Sequence, residues 1–180
     1  MRGLPSRPTL TESRQGLSPK TMASRRLQTY STEQITVTFD PTRCIHAAEC
    51  VRAQPEVFDP SRRRWIRPEL SSPDAIADAV HRCPTGALHY QLTNGAAEAP
   101  DAAVSLRMKR NGPLYIRGVA RVERDDGSVI LEDYRVALCR CGATANAPFC
   151  DGSHTRVGFR DGASAPADPS AIQSPSPSGA

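Results

Sequence analysis

The sequence predicts an α+β chain of two small folded units between disordered ends, and three observations carry that prediction. Both structural periods occur in short runs: Ile35-Thr-Val-Thr-Phe39 alternates like a strand, while Ile76, Ala79 and Val80 recur at helical spacing. Composition shifts at both ends, where residues 1–31 and 161–180 are rich in Ser, Pro and Ala and bury too little apolar surface to offset the entropy of ordering. It shifts again at residues 94–103, Asn-Gly-Ala-Ala-Glu-Ala-Pro-Asp-Ala-Ala, a linker composition that separates 32–93 from 104–160. Each unit is about 60 residues, a size at which a hydrophobic core alone is marginal and a metal or disulfide staple is often needed. Three of the six cysteines fall in each.

In the first unit, the strand at 35–39 precedes a short helix over Ala47 to Gln54, stopped by Pro55, and a short strand at Trp65-Ile66. Ser72 and Asp74 around Pro73 start a second helix that runs to Cys83-Pro84. Leu88 to Leu92 closes the unit as a strand. In the second unit, Leu114 to Val122 and Tyr134 to Leu138 read as strands, with Asp125-Asp-Gly127 as the hairpin turn between them.

The formal charge is +4 and the pI about 8.9, so the location of the charge matters. Residues 1–31 hold six Lys/Arg against Glu12 alone, whereas 32–160 hold 17 basic and 16 acidic side chains. A near-neutral body with few aromatics offers no basic stripe, which argues against nucleic acid as a partner. No run of 18 apolar residues exists to span a membrane. The start lacks an export signal, so the cysteines are expected as thiols in a reducing, cytoplasmic compartment. The leader resembles a transit peptide weakly, and Met22 is an alternative start.

The second unit carries C-x-C-x8-C-x3-H: Cys139, Cys141, Cys150 and His154, with Asp151-Gly-Ser between the last two. Thiolates are the soft donors of iron–sulfur clusters, and an imidazole can replace one of them at an outer iron. Cys150 and His154 lie four apart, suited to one face of a helix start that Asp151 would cap. Spacing alone serves a tetrahedral zinc site equally well. The run Cys-Arg-Cys-Gly-Ala-Thr-Ala-Asn-Ala-Pro-Phe-Cys-Asp-Gly-Ser-His, preceded by Asn-Gly-Pro-Leu, resembles the CDGSH iron–sulfur family from about Lys109 to Phe159. The resemblance implies a [2Fe–2S] cluster on Cys139, Cys141, Cys150 and His154, a β-rich CDGSH domain, and a homodimer that the first unit replaces or leaves in place. A histidine ligand titrates near physiological pH, so such a cluster should be acid-labile; its visible spectrum between neutral pH and about 5.5 checks this.

In the first unit, bacterial ferredoxin loops supply the comparison, C-x2-C-x2-C with a remote Cys-Pro. Cys44, Ala47 and Cys50 occupy the three positions and Cys83-Pro84 the remote one, so the second ligand is missing. Three thiolates suffice for a [3Fe–4S] cluster; alternatively His46, beside the gap, supplies the fourth ligand of a [4Fe–4S] cluster. Cys-Ile-His-Ala-Ala-Glu-Cys-Val-Arg, Pro-Glu-Val-Phe-Asp and Cys-Pro-Thr-Gly-Ala-Leu together resemble the divergent single-cluster ferredoxin domain, over about Ile35 to Tyr90. That resemblance implies a ferredoxin-like β/α domain.

His81 and His89 match no ligand position and read as packing or solvent-facing residues, Trp65 as core, and Arg62-Arg63-Arg64 as a solvated loop. No nucleophile–base pair or phosphate loop is present, so catalysis is not expected. The expected function is single-electron transfer or redox sensing with a redox protein partner. The alternative is cluster transfer or storage toward an apo iron–sulfur acceptor.

Overall fold

The computed structural model describes residues 27–162. Most of the leader and the tail expected to be disordered, residues 1–26 and 163–180, lie outside them. The order of elements is β1 (Gln28–Ser31), β2 (Ile35–Phe39), α1 (Glu49–Ala53), α2 (Pro73–His81), β3 (Leu88–Leu92), β4 (Ser105–Met108), β5 (Leu114–Glu123), β6 (Val129–Leu138) and α3 (Ser153–Arg156). Two antiparallel three-stranded sheets result, β1-β2-β3 and β4-β5-β6. The chain is α+β, as its two periodicities imply.

Alternation in β2 does what a half-buried strand requires: Ile35, Val37 and Phe39 face the core. Beneath them pack Val57, Phe58 and Ile66, the fully buried Ile76, Ala79 and Val80 of α2, and Leu88. Ser72 caps α2, its hydroxyl accepting from Ala75 N at 3.3 Å, and Pro73 opens the helix. Helix α1 starts two residues later than expected, because its cap Ala48 takes a left-handed conformation at φ 60°. Trp65-Ile66 makes a single bridge, Phe58 to Ile66, rather than a strand.

Two strands fall outside the expected set. Strand β1 lies inside the stretch expected as disordered leader; its residues are mostly exposed and polar, and backbone pairing of Gln28 to Phe39 through Ser31 to Thr36 holds it. Strand β4 is exposed throughout and pairs only with β5, so neither strand has a buried face to set a pattern. In the second sheet, β5 and β6 cover Ala120, Leu131, Val136 and Phe149. The ladder shifts register between Arg117 and Ala120, at Gly118 (φ +93°), where a Cβ would stand 2.9 Å from Val104 Cα.

A buried polar seam joins the two sheets. Arg135 of β6, 1% exposed, donates to Val80 O at 2.5 Å and Leu88 O at 2.7 Å, the end of α2 and the start of β3. Arg43 pairs with Asp133 and donates to Thr85 O at 2.5 Å and Arg135 O at 2.7 Å. His89 bridges Glu98 at 2.7 Å and Asp133 at 3.1 Å. His89 is therefore an electrostatic link, not the packing or solvent-facing residue expected. Residues 94–103 are likewise tied down: Glu98 is 7% exposed and meets Arg135, and Asp101 pairs with Arg117 at 2.7 Å. Two acids of that stretch thus find cations outside it.

Candidate metal centres

Cys44, Cys50 and Cys83 converge on one apolar pocket walled by Phe39, Trp65, Ala87 and Leu88. Cys44 follows the turn at Pro41–Arg43, Cys50 sits in the first turn of α1, and Cys83 follows α2. Burial, then the charges of Cys83 and Cys44, push the Cys50 thiol up to about 12, and burial raises Cys44 as well. Thr85 Oγ1 lies 3.6 Å from Cys83 Sγ and accepts from Ala87 N at 3.2 Å. Left-handed residues His46 (φ 56°) and Ala48 (φ 60°) flank Ala47. This loop lays Ala47 and Ala48 on the pocket wall, while His46 is exposed and absent from it.

The second group lies where the Leu138 to Phe149 bridge folds the loop back on the end of β6. Its donors come in two pairs: Cys139 Sγ and Cys141 Sγ are 3.6 Å apart, and Cys150 Sγ lies 3.3 Å from His154 Nδ1. Gly152 N donates to Cys150 Sγ at 3.4 Å. Burial raises the Cys150 thiol. At Cys139 burial opposes charge too, but hydrogen bonds from Cys141 and from the Gly142 and Thr144 backbone outweigh it and hold the thiol below its usual range. Asp151 does not cap α3. Gly152 holds that position, and Asp151, one residue before it, accepts from Ser153 N, the first N–H of the helix, at 2.9 Å and from Ala145 N of the loop at 3.0 Å. Those bonds hold its carboxyl well below the usual range.

The donor sets fit iron–sulfur clusters on geometry and charge. A tetrahedral metal with sulfur at about 2.3 Å and nitrogen at about 2.1 Å separates its ligands by roughly 3.6–3.8 Å. Each pair is close to the span of one metal. Among the described residues no three His, Cys, Asp or Glu gather tightly enough for a single ion. In the first pocket, burial raises the Cys44 and Cys50 thiols and the neighbouring thiol charges raise them further, so the site calls for a cationic core to bind them as thiolates.

The divergent 4Fe-4S mono-cluster family matches residues 30–93, and the family described as iron-binding zinc finger CDGSH type matches 111–155. The chain belongs to both families, one in each half. The first is a single-cluster iron–sulfur domain and the second a family that binds [2Fe–2S], so this is an iron–sulfur protein. The uncharacterized protein YjdI of Escherichia coli (strain K12), and that of strain O157:H7, are each 34% identical over 62 residues, 34% of this chain and 82% of theirs. No helix among the described residues is long and apolar enough to cross a membrane.

Several residues that shape the second centre give no signal in the sequence. Thr144 Oγ1 donates to Phe149 O at 2.8 Å and accepts from Asn146 N at 3.1 Å, closing the second loop on itself. Arg140, between the two cysteines, donates to Gly112 O at 3.0 Å and pairs with Asp161 at 2.5 Å. Asp161 falls in the stretch expected to be tail. A guanidinium bonded to a carbonyl far along the chain has no periodicity to reveal it.

Proposed function

We infer that the protein carries single electrons or senses redox state through two clusters, [2Fe–2S] on Cys139, Cys141, Cys150 and His154, and a second on Cys44, Cys50 and Cys83. The sorting of the second group into two metal-sized pairs carries this reading, because a structural zinc would draw all four donors together. Bound clusters would supply one-electron chemistry. The chain's part is to bury the first donor set among apolar side chains and to fix the second by backbone hydrogen bonds to Cys150 and Asp151. His46 is exposed and off the pocket wall, which favours three thiolate ligands and a [3Fe–4S] cluster over [4Fe–4S]. The folded units are 32–93 and 104–160, extended at the start by β1, and the protein works in the cytoplasm without catalysis of its own. Anaerobic purification with iron, sulfide and zinc analysis and EPR tests this: about five irons per chain and two distinct signals are expected. Zinc without sulfide would overturn it.

Partial exposure of Cys139, Cys141 and His154 favours a second reading, transfer of the second cluster to an apo acceptor. Incubation with an apo-ferredoxin separates the two, since a donor loses its cluster and a carrier keeps it.

A further inference from the structure

Four consecutive residues, Thr42 to Ile45, touch the second half three times while carrying one thiol of the first. Thr42 O accepts from Asn146 Nδ2 at 2.8 Å, in the loop between Cys141 and Cys150. The Arg43 side chain, 3% exposed on its way to β6, pairs with Asp133 and donates to Arg135 O. The same guanidinium donates to Thr85 O, two residues past Cys83. Cys44 faces the first pocket, and Ile45 lines that pocket while packing against Tyr115, Ala137 and Cys150. Gly86 makes room for the approach: at φ +65°, a Cβ there would stand 2.5 Å from Arg43 Nη2 and 2.9 Å from Asp133 Oδ2. The glycine of Cys-Pro-Thr-Gly thus serves the junction between the halves as well as its own turn.

We propose that Thr42 to Ile45 is a coupling arm, with Arg43 as its positioning residue, so that occupation of either centre favours occupation of the other. The inference rests on the two-centre reading above. Both donor sets depend on this one segment being in place, Cys44 as a donor and Ile45 as the wall behind Cys150. Whichever centre fills first bears the entropy of ordering the segment, and the other then binds without that cost. Thermodynamic reciprocity makes the effect equal in both directions.

The test uses the full chain, loaded anaerobically, and follows loss of the second centre's visible band to excess chelator, its EPR spectrum, and hydrogen exchange of residues 141–152. Cys50→Ser removes a donor of the first centre from outside the arm. It is expected to speed loss of the second centre at least about fivefold, the low end of ordinary coupling between sites, and to raise exchange in its loop. Arg43→Gln, with first-centre iron retained, should give a similar acceleration and weaken the magnetic interaction between the two paramagnetic centres. Cys50→Ser added to Arg43→Gln should then add little. Unchanged release and spectrum in a Cys50→Ser chain whose first-centre iron is gone would overturn the proposal, and so would fully additive effects. If Arg43→Gln does not fold, the half-exposed Asn146→Ala replaces it in the same cycle, where a small added effect again supports the arm and full additivity again overturns it. Absence of first-centre iron from the unaltered chain would instead defeat the two-centre reading, so the two failures are told apart.

Discussion

The two centres differ in how they treat the charge of their donors: the first raises both Cys44 and Cys50, whereas the second raises Cys150 but lowers Cys139. Around Cys44, Cys50 and Cys83 the wall is apolar, and burial with mutual repulsion keeps Cys50 protonated up to about pH 12. Around Cys139 and Cys141 the turn points its backbone N–H groups toward sulfur and lowers the Cys139 thiol. One site has to be charged by what it binds, whereas the other is partly prepared for it. The most direct challenge to that contrast is to complete the first donor set. Ala47 lies on the pocket wall at the position of the missing ligand, so Ala47→Cys should raise iron by about one per chain. The first centre's EPR signal should move from the oxidised to the reduced form, while the second centre's stays. An unchanged iron count would mean that the fourth position is already filled.

The next largest effect concerns the seam between the centres. Asp133 is buried; burial opposes its charge, but His89 and Arg43 hold its carboxyl well below the usual range. Asp133→Ala leaves Arg43 buried without its counter-charge and should cost about 3–5 kcal/mol by urea denaturation. Asp126→Ala in the exposed β5–β6 turn should cost no more than about 0.5 kcal/mol. Equal losses would show that the seam contributes nothing beyond a surface pair.

The seam also titrates. Burial works against a charge on His89, yet hydrogen bonds and attraction from Asp133 and Glu98 outweigh it and raise the group to about 9, with Arg135 Nη2 3.5 Å from Nδ1 opposing. A raised folded pKa means stability that is fully present below the unfolded value of about 6.5 and is lost as pH rises through about 9. The loss should approach about 3 kcal/mol across that window and be absent from His89→Gln. A flat profile for the unaltered chain would remove His89 from the seam.

How much of this was legible varies with the kind of signal. Strand β2 and helix α2 could be read because each buries one face, which leaves its period in the sequence. The two cysteine groups were legible as spacing; the structure sets Cys44, Cys50 and Cys83 on one pocket, Cys139 beside Cys141, and Cys150 beside His154. Strands β1 and β4 were not, since neither buries a face, and α1 lost its first two residues to left-handed Ala48. The seam was illegible for a different reason. Arg43, Asp133, Arg135, His89 and Glu98 are polar residues scattered over some ninety positions, and only the docked halves give each its partner.

The smallest effect probes whether the halves unfold together. Ser72 caps α2 in the first half, and Ser72→Ala should cost about 1 kcal/mol. Were the halves independent, only the first would weaken. The seam, however, reaches α2, because Val80 O near its end, like Leu88 O of β3, accepts from Arg135, whose strand leads into Cys139. Denaturation followed separately at the two clusters should therefore show both midpoints falling together by the same small amount. A shift confined to the first centre would mean that the buried seam opens before either half unfolds, and that the contrast between the centres is one between separate domains.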